Sequence, residues 1–90
     1  MQFEWDSRKA AENLRKHGVS FHDAATVFDD PLAITYPDPD HSEDKSRYVT
    51  FGVSADQRLL VAAHTEGGDT IRMISARRAT RGERKIYEEG

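Results

Sequence analysis

Two strand-like segments, Leu59–Thr65 and Thr70–Ala76, flank the turn Glu66-Gly67-Gly68-Asp69 and carry the side chains best suited to chemistry. His64 is the best-placed general acid or base, because an imidazole titrates nearest to neutrality. Glu66, beside the turn, is a weaker base. Arg72 interrupts an otherwise largely apolar strand, and Arg77 marks its exit. Two such guanidiniums can hold a phosphate and stabilise the charge that grows on it. Arg78, Arg81, Arg84 and Lys85 extend the cationic track, and Lys16 and His17 can face the same cleft from an earlier helix end. These parts suit metal-free RNA cleavage. A base takes the 2′-hydroxyl proton, arginines stabilise the phosphorane-like charge, and an acid protonates the departing 5′-oxygen.

Each residue also fits a structural role. Arg72 suits a buried or edge salt bridge with Asp69 or Glu4, His64 a satisfied core or sheet-margin histidine, and Glu66 a turn. Lys16 and His17 suit a basic last turn that answers a helix macrodipole. The C-terminal cations suit a solvated helix face or a surface for an acidic partner. Asp38, Asp40, His41, Glu43 and Asp44 form an acidic loop, but without the glycine and terminal glutamate spacing of a calcium loop. The four histidines make no H-E-x-x-H pair, and there is no P-loop, dinucleotide-binding glycine pattern or G-x-S-x-G elbow. No metal and no cofactor is expected.

The elements that must position these residues follow from periodicity and caps. Phe3 and Trp5 flank Glu4 in a first strand, and Asp6 caps a helix over SRKAAENLRKH with Ala10, Ala11 and Leu14 on one face. Gly18 stops it after a basic last turn. Ser20 caps a second helix whose stripe is Phe21, Ala24, Ala25 and Phe28, closed by Asp29-Asp30-Pro31. Period two then takes over, with strands at Leu32–Tyr36, Tyr48–Val53, Leu59–Thr65 and Thr70–Ala76. With Gly67-Gly68 as a two-residue turn, His64 falls opposite Ile71 and Ala63 opposite Arg72. Leu60, Ala62, His64, Ile71, Met73 and Ser75 then share one face; Leu59, Val61, Ala63, Thr65, Thr70, Arg72, Ile74 and Ala76 share the other. Thr80-Arg81-Gly82-Glu83 reads as a capping box opening a last helix with Ile86 and Tyr87 as its apolar anchors. The order β-α-α-β-β-β-β-α predicts one small α+β domain over residues 1–90. It is an antiparallel β-meander covered by two N-terminal helices, with a short C-terminal helix that frays or docks on a partner.

Composition narrows the partners. The chain has 90 residues, no cysteine and a net charge of −3, so neither disulfides nor thiolate metal sites reinforce its small core. A sequence pI near 5.7 argues against bulk electrostatic DNA binding. Charge is nevertheless segregated: Asp29 to Asp44 holds six acids and no Lys or Arg, whereas Arg72 to Gly90 holds six bases and three acids. A local cationic site on an otherwise acidic body can act on RNA without holding it tightly. No stretch approaches the ~20 apolar residues of a membrane span, and no signal pattern opens the chain, so a cytoplasmic location is expected.

Over nearly its full length the chain resembles the BrnT family of ribonuclease toxins of bacterial type II toxin–antitoxin systems. The matching segments are "FEWD", "NLRKHGVSFHDAATVFDDP", "RYVTFG", "HTEGGDTIRMISARRAT" and "ERKIYEEG". The resemblance implies a RelE-like fold and an endoribonuclease that arrests translation. It also implies neutralisation by a BrnA-type ribbon-helix-helix antitoxin, in a heterotetramer with an antitoxin dimer that reaches operator DNA only through the antitoxin. By position, Lys16, His17 and Gly18 match the family's K-H-G corner. Arg72, Ser75, Arg77 and Arg78 match its arginine-rich strand exit, and Glu83 and Tyr87 its last helix. The expected catalytic residues are His64, Glu66, Arg72 and Arg77, with Lys16, His17, Arg78 and Arg81 on RNA and Arg84, Ile86 and Tyr87 on the antitoxin. Gly82 departs from the pattern, standing where a basic residue is expected. The competing expectation is a non-catalytic binding module or corepressor that docks a DNA-binding partner through its basic C-terminal region.

Overall fold

The computed structural model describes residues 1–41 and 46–90, so Glu43 and Asp44 of the acidic loop lie outside the described residues. Helix α1 spans Ser7–His17. The Asp6 carboxylate accepts the N–H groups of Arg8 and Lys9 at its start, and Gly18, at φ 69°, ends it by donating to the Leu14 carbonyl. Helix α2, Phe21–Ala25, is capped by the Ser20 hydroxyl and runs into a 3-10 turn at Thr26–Asp29. Helix α3, Arg81–Glu89, carries the full capping box, with the Thr80 hydroxyl accepting from the Glu83 N–H and the Glu83 carboxylate accepting from the Thr80 N–H.

Among the described residues, five strands form one sheet: β1 Gln2–Glu4, β2 Ile34–Pro37, β3 Arg47–Val53, β4 Leu59–Gly67 and β5 Thr70–Arg78. Their order is β1-β5-β4-β3-β2. The expected meander is β2 to β5, all antiparallel. Strand β1 adds a parallel edge against β5, pairing Phe3 with Ile71 and Glu4 with Arg72, which makes the sheet mixed. Parallel neighbours cannot be joined by a hairpin, and here α1, α2 and the strands β2 to β4 all lie between β1 and β5 in the chain. The core lies beneath α1 and α2. Val19, Phe21, Ala24 and Val27 pack on Leu60, Ala62, Ile71, Met73 and Ala76, with Phe3, Trp5, Ala10 and Phe28 at the margin. Gly52 lets this layer settle on β3, since a Cβ there would stand 3.0 Å from both the Cβ and the carbonyl oxygen of Val27.

The β4–β5 register differs from expectation in two ways. The turn residues are Gly68 and Asp69, not Gly67 and Gly68: Gly67 pairs with Thr70, and Gly68 alone of the two takes a positive φ, 60°. A two-residue turn with glycine first needs nothing unusual of the second position. His64 therefore pairs with Met73 and Arg72 with Thr65. Further on, a β-bulge leaves Ile74 without a partner, as pairing steps from His64–Met73 to Ala63–Ser75. The extra residue exchanges the faces beyond it. Ala76 joins the core and Ser75 leaves it, the reverse of the expected alternation.

Leu14, expected on the buried face of α1, is 51% exposed, and Asn13 is 6% exposed in its place. The Asn13 carboxamide donates to the carbonyls of Val19 and Ala76 and accepts the Ala76 N–H, each at 2.9–3.0 Å. Strand β1 pairs only with Thr70 to Arg72, so the edge of β5 beyond it needs another partner. Asn13 completes that edge as one more strand residue would.

Candidate functional site

The sheet face away from α1 and α2 carries three arginines, each matched to a carboxylate from another segment. Arg72 reaches Glu4 at 3.3 Å, Arg47 reaches Asp38 at 3.1 Å, and Arg77 grips Glu83 through two bonds of 2.7 and 2.8 Å. The Glu4 pairing of Arg72 is one of the two salt bridges foreseen from sequence. Between the Arg47–Asp38 and Arg77–Glu83 pairs lies a groove of about 500 Å³, lined by Val49, Phe51 and Val61 among others, with Tyr36, Asp38 and Asp40 on one side and Arg77, Glu83 and Ile86 on the other. Helix α3 closes its edge. Beyond the Arg77–Glu83 pair, the Tyr87 hydroxyl donates to Asp30 at 2.6 Å.

Electrostatics fix the charge states here. Hydrogen bonds from Arg77 pull the Glu83 carboxyl down to about 2, so Glu83 serves Arg77 as a standing anion and is a poor proton acceptor. The same bonds raise Arg77 further above its usual value. Burial alone would raise Asp30, but the Tyr87 hydroxyl and the N–H groups of Val53 and Leu32 outweigh it and hold the carboxyl low. The bond to Asp30 in turn pushes Tyr87 up to about 12.

The expected catalytic residues do not meet in one place. His64 is 0% exposed, on the helix-covered face, with Nε2 2.7 Å from the Thr50 hydroxyl and its ring against Phe28 and Tyr48. Burial pushes it down to about 4, although the Glu66 carboxylate stands 3.7 Å from Nδ1; that carboxylate is half exposed and screened by water. As folded, His64 is a neutral core residue beyond reach of a substrate. Glu66 and Arg72 do come together, in a shallow cavity of about 230 Å³ at the β4–β5 turn. Arg77 lies apart from them. Five residues of strand at about 3.3 Å each separate the two backbones by roughly 16 Å, and the side chains line different cavities, Arg72 on Glu4 and Arg77 on Glu83.

Lys16 and His17 line a third cleft, of about 260 Å³, with Lys9, Glu12, Asn13, Ile74 and Ser75. Ile74 and Ser75, at the bulge, line this cleft with α1, whereas Arg77, two residues further along β5, lines the groove on the face away from α1. Arg78 takes the opposite face, opposite Leu60, and shares a cavity with Arg58 and Arg84. Arg81 is exposed in the first turn of α3. Of the three residues expected on the antitoxin, Ile86 is exposed at the groove rim, Arg84 sits with Arg78, and Tyr87 is spent within the chain on Asp30.

From sequence, Asn13 and Arg47 have no assigned role, and Asp38 enters only as part of the acidic loop. Asn13 had a signal, a polar residue three positions after Ala10 on the apolar face of α1. Arg47 and Asp38 had none, since their meeting depends on how the β2–β3 connection closes.

Fold and clefts together define a small mixed α+β domain whose open strand face carries arginines paired with carboxylates. The chain belongs to the family described as ribonuclease toxin, BrnT, of type II toxin–antitoxin systems, whose model matches residues 5–83. Membership implies an antitoxin partner. A similar solved structure is the Brucella abortus ribonuclease toxin, BrnT, determined at 1.1 Å, with a TM-score of 0.70 and 23% identity over 90% of this chain and 99% of that one. At that identity the likeness speaks for the fold. A comparison with curated proteins gives no match. Among the described residues, no helix is long and apolar enough to cross a membrane.

Proposed function

We propose that the chain is a metal-independent endoribonuclease whose centre is the Ser75–Arg77 segment of β5. The observation that carries this is Arg77: Glu83 holds its guanidinium fork to fork at the wall of the groove between β2 and α3, while the side chain stays 43% exposed. A fixed, reachable guanidinium is pre-organised to stabilise charge growing on a phosphate. His17, at the cleft that Ser75 shares, takes the proton-transfer role expected of His64. The 2′-oxygen gives up its proton to His17 and bonds to phosphorus. The bond to the 5′-oxygen breaks and that oxygen takes up a proton from water, leaving a 2′,3′-cyclic phosphate and a 5′-hydroxyl. Arg72 and Glu66 serve a phosphate further along the strand, and Lys16 flanks the centre.

In this reading the toxin acts in the cytoplasm, where RNA cleavage arrests translation and growth. A ribbon-helix-helix antitoxin of the BrnA type neutralises it by covering the groove, with Ile86 and Tyr36, both exposed at its rim, as contacts. An antitoxin dimer carries the pair to its promoter as a heterotetramer. The test is cleavage of a defined RNA in EDTA by the purified chain, beside Arg77→Ala and His17→Ala. Fragments ending in 2′,3′-cyclic phosphate, lost in both folded variants, are the expected result. RNA left whole by the folded wild type, with and without ribosomes, returns the chain to the binding-module reading.

A further inference from the structure

We propose that Arg58, Arg78 and Arg84 form a phosphate-binding site, separate from the groove at Arg77, that takes a backbone phosphate of the RNA a short step from the cleaved one. The source of that phosphate rests on the ribonuclease reading above.

The three arginines come from three segments. Arg58 precedes β4, Arg78 ends β5, and Arg84 stands in α3, yet all line one concavity of about 280 Å³ with Gln57, Leu59 and Ala79. Elsewhere on this protein, convergent arginines are matched: Arg47, Arg72 and Arg77 each hold a carboxylate. Arg58 is matched as well. It donates to the Gly18 carbonyl and to Asp23, both at 3.0 Å, with Asp56 at 3.9 Å. Those bonds lock its guanidinium as a fixed wall. Arg78 and Arg84 differ, since neither is ion-paired among the described residues, and Glu88, one turn beyond Arg84, makes no ion pair with it. Two unmatched cations drawn into one concavity repel each other until an anion sits between them. The forked donors of arginine suit phosphate oxygens, and a phosphate can serve several forks at once where a carboxylate serves one or two.

Position ties this site to the groove. Arg77 pairs across the sheet with Val61 and Arg78 with Leu60, so consecutive residues point to opposite faces at the end of β5. A polyanion that rounds this strand end meets Arg77 on one side and the Arg78–Arg84 pair on the other.

The test has two arms on the full chain. In the first, inorganic phosphate is titrated while arginine Nε–H NMR signals are followed; those of Arg78 and Arg84 should shift together. In the second, a short 2′-O-methyl RNA, which cannot be cleaved, is bound across a salt series by wild type and by the Arg78→Gln/Arg84→Gln double variant. Both positions are exposed, and Gln keeps the stem. The variant should bind more weakly, with a log–log salt slope shallower by about 0.7 for each phosphate it no longer neutralises. No phosphate-dependent shift, together with an unchanged slope, overturns the site. A shift at both arginines beside a slope unchanged in the variant overturns RNA as the source. A wild type that binds phosphate at these arginines but no RNA brings down the ribonuclease reading and leaves the anion site standing.

Discussion

Arg77 and Glu83 meet fork to fork across the junction of β5 and α3, with Nη1–Oε1 at 2.7 Å and Nη2–Oε2 at 2.8 Å. The pair is partly exposed, so its worth to stability is modest, under about 1 kcal/mol. Its worth to function is orientation. Glu83→Gln keeps the size and one acceptor but gives up the charge that holds the guanidinium. We expect kcat on a defined RNA to fall about tenfold with KM little changed, and Arg77→Ala to lose about 10²-fold or more. Steady-state cleavage with thermal melts as a folding control decides it. Equal kcat in Glu83→Gln and wild type removes Glu83 as a positioning residue.

His64 gives stability a pH dependence of definite sign. Its folded value, near 4, lies below the ordinary 6.5, so between those values the unfolded chain binds a proton that the folded chain refuses. Stability from this source is complete above about 6.5 and drains away as pH falls toward 4, with a ceiling of about 3 kcal/mol. His64→Gln should lower stability at pH 7 and flatten the fall between pH 6.5 and 4. Urea denaturation at several pH values measures both, and an undiminished slope in the variant would assign the effect elsewhere.

Caps and apolar spacing made most of the fold readable, because those signals are local. Asp6, Gly18, Ser20 and Thr80 do at their helix ends what their types suggest. Register was not readable, because it turns on which residues make the turn and on one extra residue: nothing in Met73-Ile74-Ser75 announces a bulge, yet that bulge places Ala76 in the core. The candidate site suffered for the same reason. His64 has the right chemistry and the wrong face, and burial on that face follows from how Phe28 and Tyr48 close over it. Lys16 and His17 were legible as a helix end, but their neighbour Ser75 became visible only through the bulge.

Asn13 should behave as a structural residue with several partners. Asn13→Ala leaves the carbonyls of Val19 and Ala76 and the N–H of Ala76 without their side-chain partner, all at a buried site. We expect a loss of about 2–4 kcal/mol, since unmet buried polar groups cost about 1–3 kcal/mol each and water repairs part of the loss. The urea midpoint gives the size. Ala76 amide exchange gives the place, and protection retained there would mean that another group closes the edge of β5.

Tyr87 and Asp30 set how firmly α3 sits on the sheet. The hydroxyl donates to a carboxylate that also accepts from the Leu32 and Val53 N–H groups, so Tyr87→Phe removes one partner and strands none. The expected cost is about 1 kcal/mol, borne by α3 and not by the whole domain. Amide exchange across Arg84 to Glu89 should quicken, with that of β3 to β5 unchanged. The Asp30 carboxyl, having lost the first of the bonds that lower it, should titrate higher by NMR. A variant with α3 exchange and Asp30 titration both unmoved would show that the Tyr87–Asp30 bond does not hold the helix.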